Sequence, residues 1–540
     1  MTRSTFSGFT IAQLAMTASQ RAIDVTGQNI ANINTQGYTR QRVDLVSLNT
    51  RGADAMRTGP GTKIGYGVEI TGISQIRDPF LDVQFRNQIA KVGTADARQA
   101  TLDQLADIFD ETDDEGIKRA LSDFKSSLDK LASNAGSSEF DSIVRSRAQV
   151  LVNYIHQKST DLKSVREETI NGLENSDVPT INGLLSDIGE LNDAIWKSQV
   201  QGNPALELLD ERNNKLDELA SYLPISVTYN DVVVATGTKF EYPVVKFRGS
   251  DGMTYNLTAG EHGENVASIS STRNKGITGE FDGTVSISLI PASDFPKESD
   301  VSTLSTDITK YLKEGSLKGV VDALNKSGEL DVPSTDFRGI GYYEKSFEAF
   351  VQSFAKTFNE LNKNTDPSNT KNFDLFQTSD GSLRFTASNI KISDDWMNNS
   401  IHIISAYKDE GTTANDNIMR MLKAMDEERV FKYEYTYKDS SGMIQSDYIT
   451  HYTGSFSQCY SNLENTQGID SSANSAILNN HVSVLQQTSN NKDSVSGVSL
   501  DEEGISLMQY QRSFSAAARL MTTLDEALNI LINSTGLVGR

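Results

Sequence analysis

The chain has 540 residues, of which 37% are hydrophobic, and 72 acidic against 50 basic residues give it a formal net charge of -22. This length accommodates roughly three or four domains with hydrophobic cores. The charge disfavours nucleic acid and anionic membranes as partners, because phosphate groups would be repelled. Cys459 is the single cysteine, which excludes a disulfide within the chain. No cleavable signal is recognisable, and neither terminal helix has the roughly 18 unbroken apolar residues of a membrane span.

A heptad pattern of apolar residues opens the chain. Apolar side chains recur every seven positions from Phe9 on, and a second set of small or apolar residues follows three positions after each of them. This spacing predicts the seam of a coiled-coil helix. The seam residues are Phe9, Met16, Ile23, Ile30 and Ile33.

The same helix has a second apolar face, formed by Ile11, Ala18 and Val25. These residues lie about 200° around the helix from the seam positions. A helix that is apolar on two sides is normally buried among several neighbours. We therefore expect that one partner helix cannot cover both faces and that copies of related subunits cover the remainder.

The helix runs into a polar stretch, Gln28–Arg42, that contains a turn. Gly37 has no Cβ atom and can adopt a positive φ after the helix. Asn32 and Asn34 can hydrogen-bond the backbone carbonyls that become free in the last helical turn. Tyr38 is predicted to offer an aromatic contact to a neighbouring molecule.

Glycines and short apolar alternations between Val43 and Ile73 predict a stiff connector of loops and short strands. Asp78 followed by Pro79 predicts the start of a helix. Helical spacing then continues to Tyr222 and predicts long helices packed side by side. The predicted apolar side of the first of these helices consists of Phe80, Val83 and Ile89.

Alternating apolar residues and Gly or Asp-Gly turns predict an inserted β-rich outer domain over residues 223–337. Helical spacing returns over residues 338–499. A small β excursion interrupts it near residues 431–455, where the run Lys-Tyr-Glu-Tyr-Thr-Tyr alternates before a Ser-Gly turn. We therefore assign residues 46–222 together with 338–499 to a mainly helical domain.

A second heptad pattern closes the chain and predicts a helix that pairs with the N-terminal one. Residues 1–45 and 500–540 would then form one terminal domain, and everything between them is a long excursion. The predicted fold class is multidomain and mainly α with β insertions: a terminal α-helical coiled-coil pair, a long-helix bundle domain and an inserted β domain. The C-terminal seam consists of Leu507, Tyr510, Phe514, Ala517, Met521, Leu524, Leu528 and Leu531.

No residue pattern indicates catalysis, a cofactor or a metal. Residues 111–116 have acidic side chains at the spacing of a calcium loop, but the twelfth position is Ser122, which cannot supply a bidentate carboxylate. The five histidines are scattered singly. No Gly-x-Ser-x-Gly, P-loop or dinucleotide motif occurs. A carboxylate pair in a secreted hydrolase stays open as an alternative function.

The turn carries a resemblance to a known family. Ala31, Asn32, Thr35, Gly37 and Tyr38 match the Ala-Asn-x-x-Thr-x-Gly-Tyr motif of bacterial flagellar axial proteins, the family of rod, hook and hook-associated subunits. The following Thr39-Arg40-Gln41 and the run Val495–Glu503 are similar to family members at the hook–filament junction. The match covers about the first 95 and the last 50 residues, and the helical stretches more weakly. Gln36 stands where rod subunits often have Pro.

The resemblance implies a structural subunit of the extracellular flagellum that joins hook and filament and assembles through its terminal helices. The implied assembly motif consists of Ala31, Asn32, Thr35, Gly37, Tyr38 and Arg40. The implied partners are further copies of the chain, the hook protein, a second junction protein, and an export chaperone that binds the C-terminal seam. Type III export without a cleaved signal peptide is also implied. A hook or distal rod subunit is the nearer alternative.

Overall fold

The structure is a computed structural model, and it describes most of the chain. The described residues are 7–48, 65–110, 116–233, 239–277, 279–293, 305–363, 373–407, 414–438 and 441–533. The predicted calcium-like loop at residues 111–115 lies outside them.

The helices, in chain order, are α1 (Ser7–Ala31), α2 (Pro79–Phe109), α3 (Ile117–Ser133), α4 (Ser138–Gly172), α5 (Val178–Val200), α6 (Leu206–Tyr222), α7 (Ser316–Asn325), α8 (Ile340–Leu361), α9 (Asp394–Met397), α10 (Asp416–Asp426), α11 (Phe456–Ser496) and α12 (Leu500–Asn533). The strands are β1 (Gln41–Ser47), β2 (Val68–Gln75), β3 (Ile225–Val233), β4 (Lys239–Arg248), β5 (Thr254–Asn256), β6 (Thr258–Ala259), β7 (Asn265–Val266), β8 (Ser268–Lys275), β9 (Phe281–Ile290), β10 (Thr306–Asp307), β11 (Phe376–Thr378), β12 (Ile390–Ile392), β13 (Arg429–Lys438) and β14 (Ile444–Gly454). A π-helical turn, Leu173–Asp177, joins α4 to α5.

The two ends of the chain pack as an antiparallel helix pair. Near the start of α1, Gly8 lies so close to α12 that an added Cβ atom would be 3.0 Å from Leu524 Cδ1. Near the end of α1, Asn29 Nδ2 donates a hydrogen bond to Glu503 Oε2 at 3.1 Å. Because these contacts connect opposite ends of the two helices, the chain returns along α1 in the reverse direction.

The second apolar face of α1 is covered by the chain itself. Strands β1 and β2 form an antiparallel hairpin that packs on α1. The Gly67 backbone approaches so closely that an added Cβ atom would lie 3.5 Å from Ile11 Cα. Ala18 and Val25, on the same side, are only 5% and 7% exposed. The expectation that other subunits must cover this face is therefore wrong, because the segment predicted as a connector folds back over it.

Helices α2 and α11 form the long axis of the helical part and run antiparallel. Three side-chain amides of this interface donate to backbone carbonyls of the facing helix: Gln467 to Leu102 at 2.8 Å, Asn474 to Ala95 at 2.8 Å, and Gln88 to His481 at 2.9 Å. A hydrogen bond of this kind contributes about 1 kcal/mol. Together the three bonds fix the relative position of two long helices whose contact surface is poor in large apolar residues.

The start of α2 differs from its prediction. The Asp78 carboxylate caps the helix by accepting a hydrogen bond from Phe80 N at 2.9 Å, as the Asp-Pro pair indicates. Phe80 and Val83, however, are 65% and 44% exposed. The side that is buried here contains Asp82 and Arg86 instead, because it faces charged groups of α6 and α11.

The main core lies where α3, α4 and α8 meet. Phe124 of α3 packs edge-on against Phe354 and Phe358 of α8, with ring centroids 5.7 and 5.2 Å apart. This core continues without interruption into the β segment, where Phe247 and Ile287 are fully buried. The β segment therefore shares its core with the helices.

The described part of the inserted segment contains two three-stranded sheets, ordered β3-β4-β5 and β10-β9-β8, and the pair β6-β7. All of their pairings are antiparallel. The prediction of a β-rich segment up to residue 337 is wrong in its last part, since α7 occupies Ser316–Asn325. This helix packs on α2, where buried Asp322 forms ion pairs with Arg98 and Lys318.

The strand pair predicted near residues 431–455 is confirmed as β13 and β14, and Gly442 adopts a φ of +82° in the turn between them. The fold class is likewise confirmed: the chain is mainly α with antiparallel β insertions. Among the described residues, no helix is both long and apolar enough to cross a membrane.

Candidate assembly site at the chain termini

The turn after α1 is closed by local hydrogen bonds. Asn32 Nδ2 donates to Gln28 O at 3.0 Å, a carbonyl of the last helical turn that also accepts from Asn32 N at 3.1 Å. Thr35 Oγ1 donates to Asn32 Oδ1 at 3.2 Å. Gly37 then adopts a φ of +76°. The sequence positions of Asn32, Thr35 and Gly37 therefore match the demands of one tight turn.

Asn29 is the central residue of the site and is 1% exposed. Its Oδ1 accepts hydrogen bonds from Tyr38 Oη at 2.9 Å and from Gln41 N at 3.0 Å. Its Nδ2 donates to Gln41 O at 2.9 Å and to Glu503 Oε2 at 3.1 Å. One side chain therefore joins the end of α1, the start of β1 and the start of α12.

Tyr38 is half-buried, and its hydroxyl is used within the chain. Burial, reinforced by the carboxylates of Asp210, Glu207 and Glu503, raises the pKa of Tyr38 to about 12. The hydroxyl therefore stays protonated and can donate to Asn29. The hydroxyl therefore points inward to Asn29, and the aromatic contact of the half-exposed ring with a neighbouring molecule stays a prediction.

Arg40 connects the turn to the C-terminal helix. Its Nε donates to Glu503 Oε1 at 2.6 Å, and its NH1 group donates to Glu502 Oε2 at 2.6 Å. Its backbone N also donates to Ser496 O at 2.8 Å. The Glu503 side chain is 3% exposed and that of Glu502 is 62% exposed. Both carboxylates lie in the first turn of α12, where the helix dipole stabilises negative charge.

The turn is also attached to α6. Thr39 N donates to Asp210 Oδ2 at 3.0 Å. Burial raises the pKa of Asp210, although the hydrogen bond from Thr39 opposes this. The Gly37 backbone sits directly on Asn214, where an added Cβ atom would lie 2.0 Å from Oδ1. We call Asn29, Tyr38, Arg40, Asp210 and Glu503 the terminal clamp.

The predicted seams lie between α1 and α12. On α1, Phe9, Met16, Ile23 and Ile30 are half-buried. Ile33 lies beyond the end of the helix and is 38% exposed, so its assignment to the seam is wrong. On α12, Ala517 is buried and Leu531 is 56% exposed. The remaining seam residues are half-buried: Leu507, Tyr510, Phe514, Met521, Leu524 and Leu528.

Three residues of the terminal clamp were not predicted: Asn29, Asp210 and Glu503. Asn29 and Glu503 lie within the stretches singled out in the sequence, but their side chains meet across 474 positions of the chain. Asp210 is one of many acidic residues on helices. Sequence composition does not distinguish a buried polar side chain from a solvated one. Only the tertiary contacts therefore identify Asn29, Asp210 and Glu503 as residues of the terminal clamp.

The described residues offer no sign of metal chemistry, since none of their His, Cys, Asp and Glu side chains gather in groups of three or more that could hold an ion. A cleft of about 920 Å³ borders the turn and is lined in part by Arg77, Asp217 and Lys492. Asp217 pairs with Arg86 at 2.6 Å and with Lys492 at 2.6 Å. These charged side chains are therefore engaged in joining α2, α6 and α11.

Comparison with known proteins places both termini and the centre in flagellar families. The model described as flagellar hook-associated protein FlgK helical domain matches residues 102–376, just over half of the chain. The model described as flagella basal body rod protein matches residues 9–39, which contain most of α1 and the turn. The model described as flagellar basal body rod FlgEFG protein C-terminal matches residues 493–534, which contain α12.

Curated relatives align over nearly the whole length. Flagellar hook-associated protein 1 of Bacillus subtilis is 28% identical over 99% of this chain and 100% of its own. Flagellar hook-associated protein 1 of Salmonella typhimurium is 24% identical over 97% of this chain and 98% of its own. The solved structure of the flagellar hook junction protein FlgK from Burkholderia pseudomallei aligns at 18% identity with a TM-score of 0.42, over 55% of this chain and 46% of that one.

The paired terminal helices, the clamped turn and these matches define a class of protein, the axial structural subunits of the bacterial flagellum. Within that class, the chain belongs to the family of the flagellar hook-associated protein FlgK. It is a structural subunit of the hook–filament junction, part of the extracellular flagellum, and not an enzyme. The alternatives of a hook or distal rod subunit and of a secreted hydrolase are not retained.

Proposed function

We propose that this chain builds the hook–filament junction by packing its terminal helix pair against the pairs of neighbouring copies, in a ring or helical assembly around a channel. The observation that carries this proposal is the exposure of α12. Of its 34 residues only Glu503 and Ala517 are buried. A helix of this length, covered on one side only, is an incomplete part of a larger core.

Three of the exposed apolar residues of α12 lie opposite its seam. Ile505, Met508 and Leu520 are 62%, 54% and 46% exposed. At 100° of rotation per residue they fall within a sector of about 120° centred away from the side that meets α1. Arg512 and Arg519 lie between them. Apolar side chains interspersed with Met and Arg are typical of protein–protein interfaces.

The assembly motif divides into two groups with different roles. Tyr38 and Arg40 act within the chain, where they hold the turn against α6 and α12 through the terminal clamp. Ala31 and Thr35 are exposed on the outer side of the turn and are the residues that we assign to contacts with a neighbouring copy. The clamp thus fixes the shape that the exposed residues present.

A subunit at the hook–filament junction has several binding partners. The subunit contacts further copies of itself, the hook protein on one side and a second junction protein on the other. Before export, an export chaperone binds the C-terminal seam of α12. Export proceeds through the type III apparatus without a cleaved signal peptide. The proposed terminal domain comprises residues 1–45 with 500–540 and the mainly helical domain 46–222 with 338–499, and the inserted segment 223–337 is β-rich apart from α7.

The test places a charge on the exposed face of α12. Met508→Glu should abolish filament attachment in a strain that lacks the wild-type gene, because a carboxylate would be buried without a partner when copies pack. Gln511→Glu adds the same charge at an exposed polar position outside the sector of Ile505, Met508 and Leu520, and should leave attachment intact. The assay compares filament protein on hooks with filament protein lost to the medium.

The amount of each variant outside the cell must be measured in the same cultures, since a failure of export would mimic a failure of assembly. Normal export of Met508→Glu with loss of attachment supports packing through α12. Normal export with normal attachment would contradict it.

A further inference from the structure

Strands β13 and β14 form a two-stranded ribbon whose base is buried and whose outer half is not. At the base, Phe431 is fully buried, and the guanidinium of Arg384 lies 5.2 Å from the centre of the Tyr433 ring. Toward the tip, Tyr437, Ile444 and Tyr448 are 41%, 58% and 49% exposed. An isolated two-stranded ribbon is only marginally stable in water. The outer half therefore holds its shape by extension from a packed base.

The ribbon has two open edges. In the part of the chain that the structure describes, its sheet contains β13 and β14 and no third strand. Exposed edges of this kind are normally short or protected by Pro or Lys, because their backbone groups can pair with another strand. Strand β14 has 11 residues, contains neither Pro nor Lys, and has Asp447 as its charged residue. Its edge lacks the usual protection against strand addition.

The charges of the two strands favour a second copy of this chain as the partner. Strand β13 contains Arg429, Lys432 and Lys438 against Glu434, a net charge of +2, whereas β14 has a net charge of -1 from Asp447. The whole chain has a net charge of -22, so two copies repel each other outside such a complementary contact. Pairing two β14 strands would bring Asp447 near its equivalent, and like charges across strands are destabilising.

The direction of the strands in neighbouring copies also favours pairing of β14 with β13. Because β14 runs antiparallel to β13 within the ribbon, a neighbour in the same orientation presents its β13 antiparallel to β14. All copies in a ring or a helical assembly share such an orientation, and their contacts are head-to-tail. We propose that β14 of one subunit pairs with β13 of the next copy, which joins the ribbons into a continuous sheet. The head-to-tail order rests on the assembly described under Proposed function.

Thiol cross-linking in assembled flagella tests this pairing. Thr436 of β13 and Ser446 of β14 are exposed, and each is changed to Cys in a separate full-length chain carrying a different tag. The native Cys459 is 2% exposed and burial raises the pKa of its thiol, so it reacts slowly with maleimides. The two chains are co-expressed, and isolated junctions are treated with a short bis-maleimide.

We expect Thr436→Cys to cross-link to Ser446→Cys of another chain, because thiols on adjacent strands have a high effective concentration relative to each other. The yield should be about tenfold or more above the yield of the same reaction with Ser146→Cys in place of Ser446→Cys. Ser146 is an exposed serine on α4 and serves as the matched control. A mixed product at the control level would overturn the proposal. So would a predominance of Ser446→Cys homodimers, which would indicate that β14 meets β14.

A charge variant tests the electrostatic part. Gln445→Lys, added to the Ser446→Cys chain, should lower the mixed product about fivefold, since it places a positive charge opposite the lysines of β13. Gln445→Glu keeps the size of the side chain and should not lower it. Equal yields for the two variants would contradict the charge argument and with it the choice of partner strand.

The two proposals fail in different ways. If Met508→Glu abolishes attachment but the ribbon cross-link stays at the control level, only the ribbon inference is wrong. If Met508→Glu is exported and attaches filaments normally, the role proposed for α12 is wrong whatever the ribbon does.

Discussion

Replacing Glu503 by Gln should weaken the terminal clamp by about 2 kcal/mol. The Glu503 carboxylate is almost fully buried and accepts hydrogen bonds from Arg40 at 2.6 Å and from Asn29 at 3.1 Å. A hydrogen bond to a charged group contributes about 1.5 to 3 kcal/mol. Gln retains the size and one acceptor oxygen but not the charge. The loss is moderated because Arg40 is partly exposed and keeps its bond to Glu502.

The assay is hydrogen exchange at backbone amides that the clamp protects. Gln41 N donates to Asn29 Oδ1, and Thr39 N donates to Asp210, so both amides exchange when the turn opens locally. A loss of about 2 kcal/mol corresponds to about 30-fold faster exchange at these amides. Amides of the α2–α11 interface should be unchanged, since the clamp does not contact them.

Glu502→Gln is the matched control. It removes a carboxylate from the same arginine at the same 2.6 Å distance, but the Glu502 side chain is 62% exposed. An exposed ion pair contributes little because water screens it, so exchange at Gln41 should change by no more than about threefold. Equal acceleration in Glu502→Gln and Glu503→Gln would refute the reasoning, because it would mean that burial of the carboxylate is irrelevant.

Three further predictions concern other parts of the chain. Gly37→Ala should cost about 1–2 kcal/mol of turn stability from the positive φ of this residue alone. The new Cβ atom would also clash with the Asn214 side chain, and Asn214→Ala in the same chain should remove the clash but not the cost of the positive φ. A double-mutant cycle measured by hydrogen exchange separates the two contributions. Burial lowers the pKa of His451 from 6.5 to about 4. Because the unfolded chain binds the proton more readily than the folded one, the free energy of unfolding should fall by about 3 kcal/mol as the pH drops from 6.5 to 4. Urea unfolding of His451→Gln should not show this loss. Asn474→Ala should cost about 1–2 kcal/mol in thermal unfolding by removing the hydrogen bonds of its amide to Ala95 O and Gln99 Oε1. Asn479→Ala at an exposed position of the same helix should be neutral.

Periodicity predicted those features that depend on neighbouring residues in the chain. The heptads predicted α1 and α12, the Asp78-Pro79 pair predicted the start of α2, and the Tyr-rich alternation before Ser441-Gly442 predicted β13 and β14. Each of these signals depends on local backbone preferences or on the burial of one face. Residues close together in the sequence determine both of these properties. The resemblance in the turn was sufficient to indicate the flagellar axial family.

The failures that concern helix faces share one physical cause, which is that a pattern specifies an apolar or polar face but not what covers it. Phe80 and Val83 form an apolar side that faces outward, while Asp82 and Arg86 are buried because charges from α6 and α11 reach them. The segment Ser316–Asn325 is a helix inside an interval dominated by strands. In that interval the frequent Gly and Asp-Gly turns led to a β-rich prediction, although one short part of it is a helix.

The sequence by itself determined where the long helices lie, which of their faces are apolar, and that the tight turn belongs between α1 and β1. Only the tertiary structure decided that the β1–β2 hairpin covers the second face of α1, so that the uncovered surface belongs to α12 instead. It also decided that Asn29 and Glu503 meet. Contacts between residues far apart in the chain depend on how all the intervening elements pack, and no local pattern of side chains encodes that geometry.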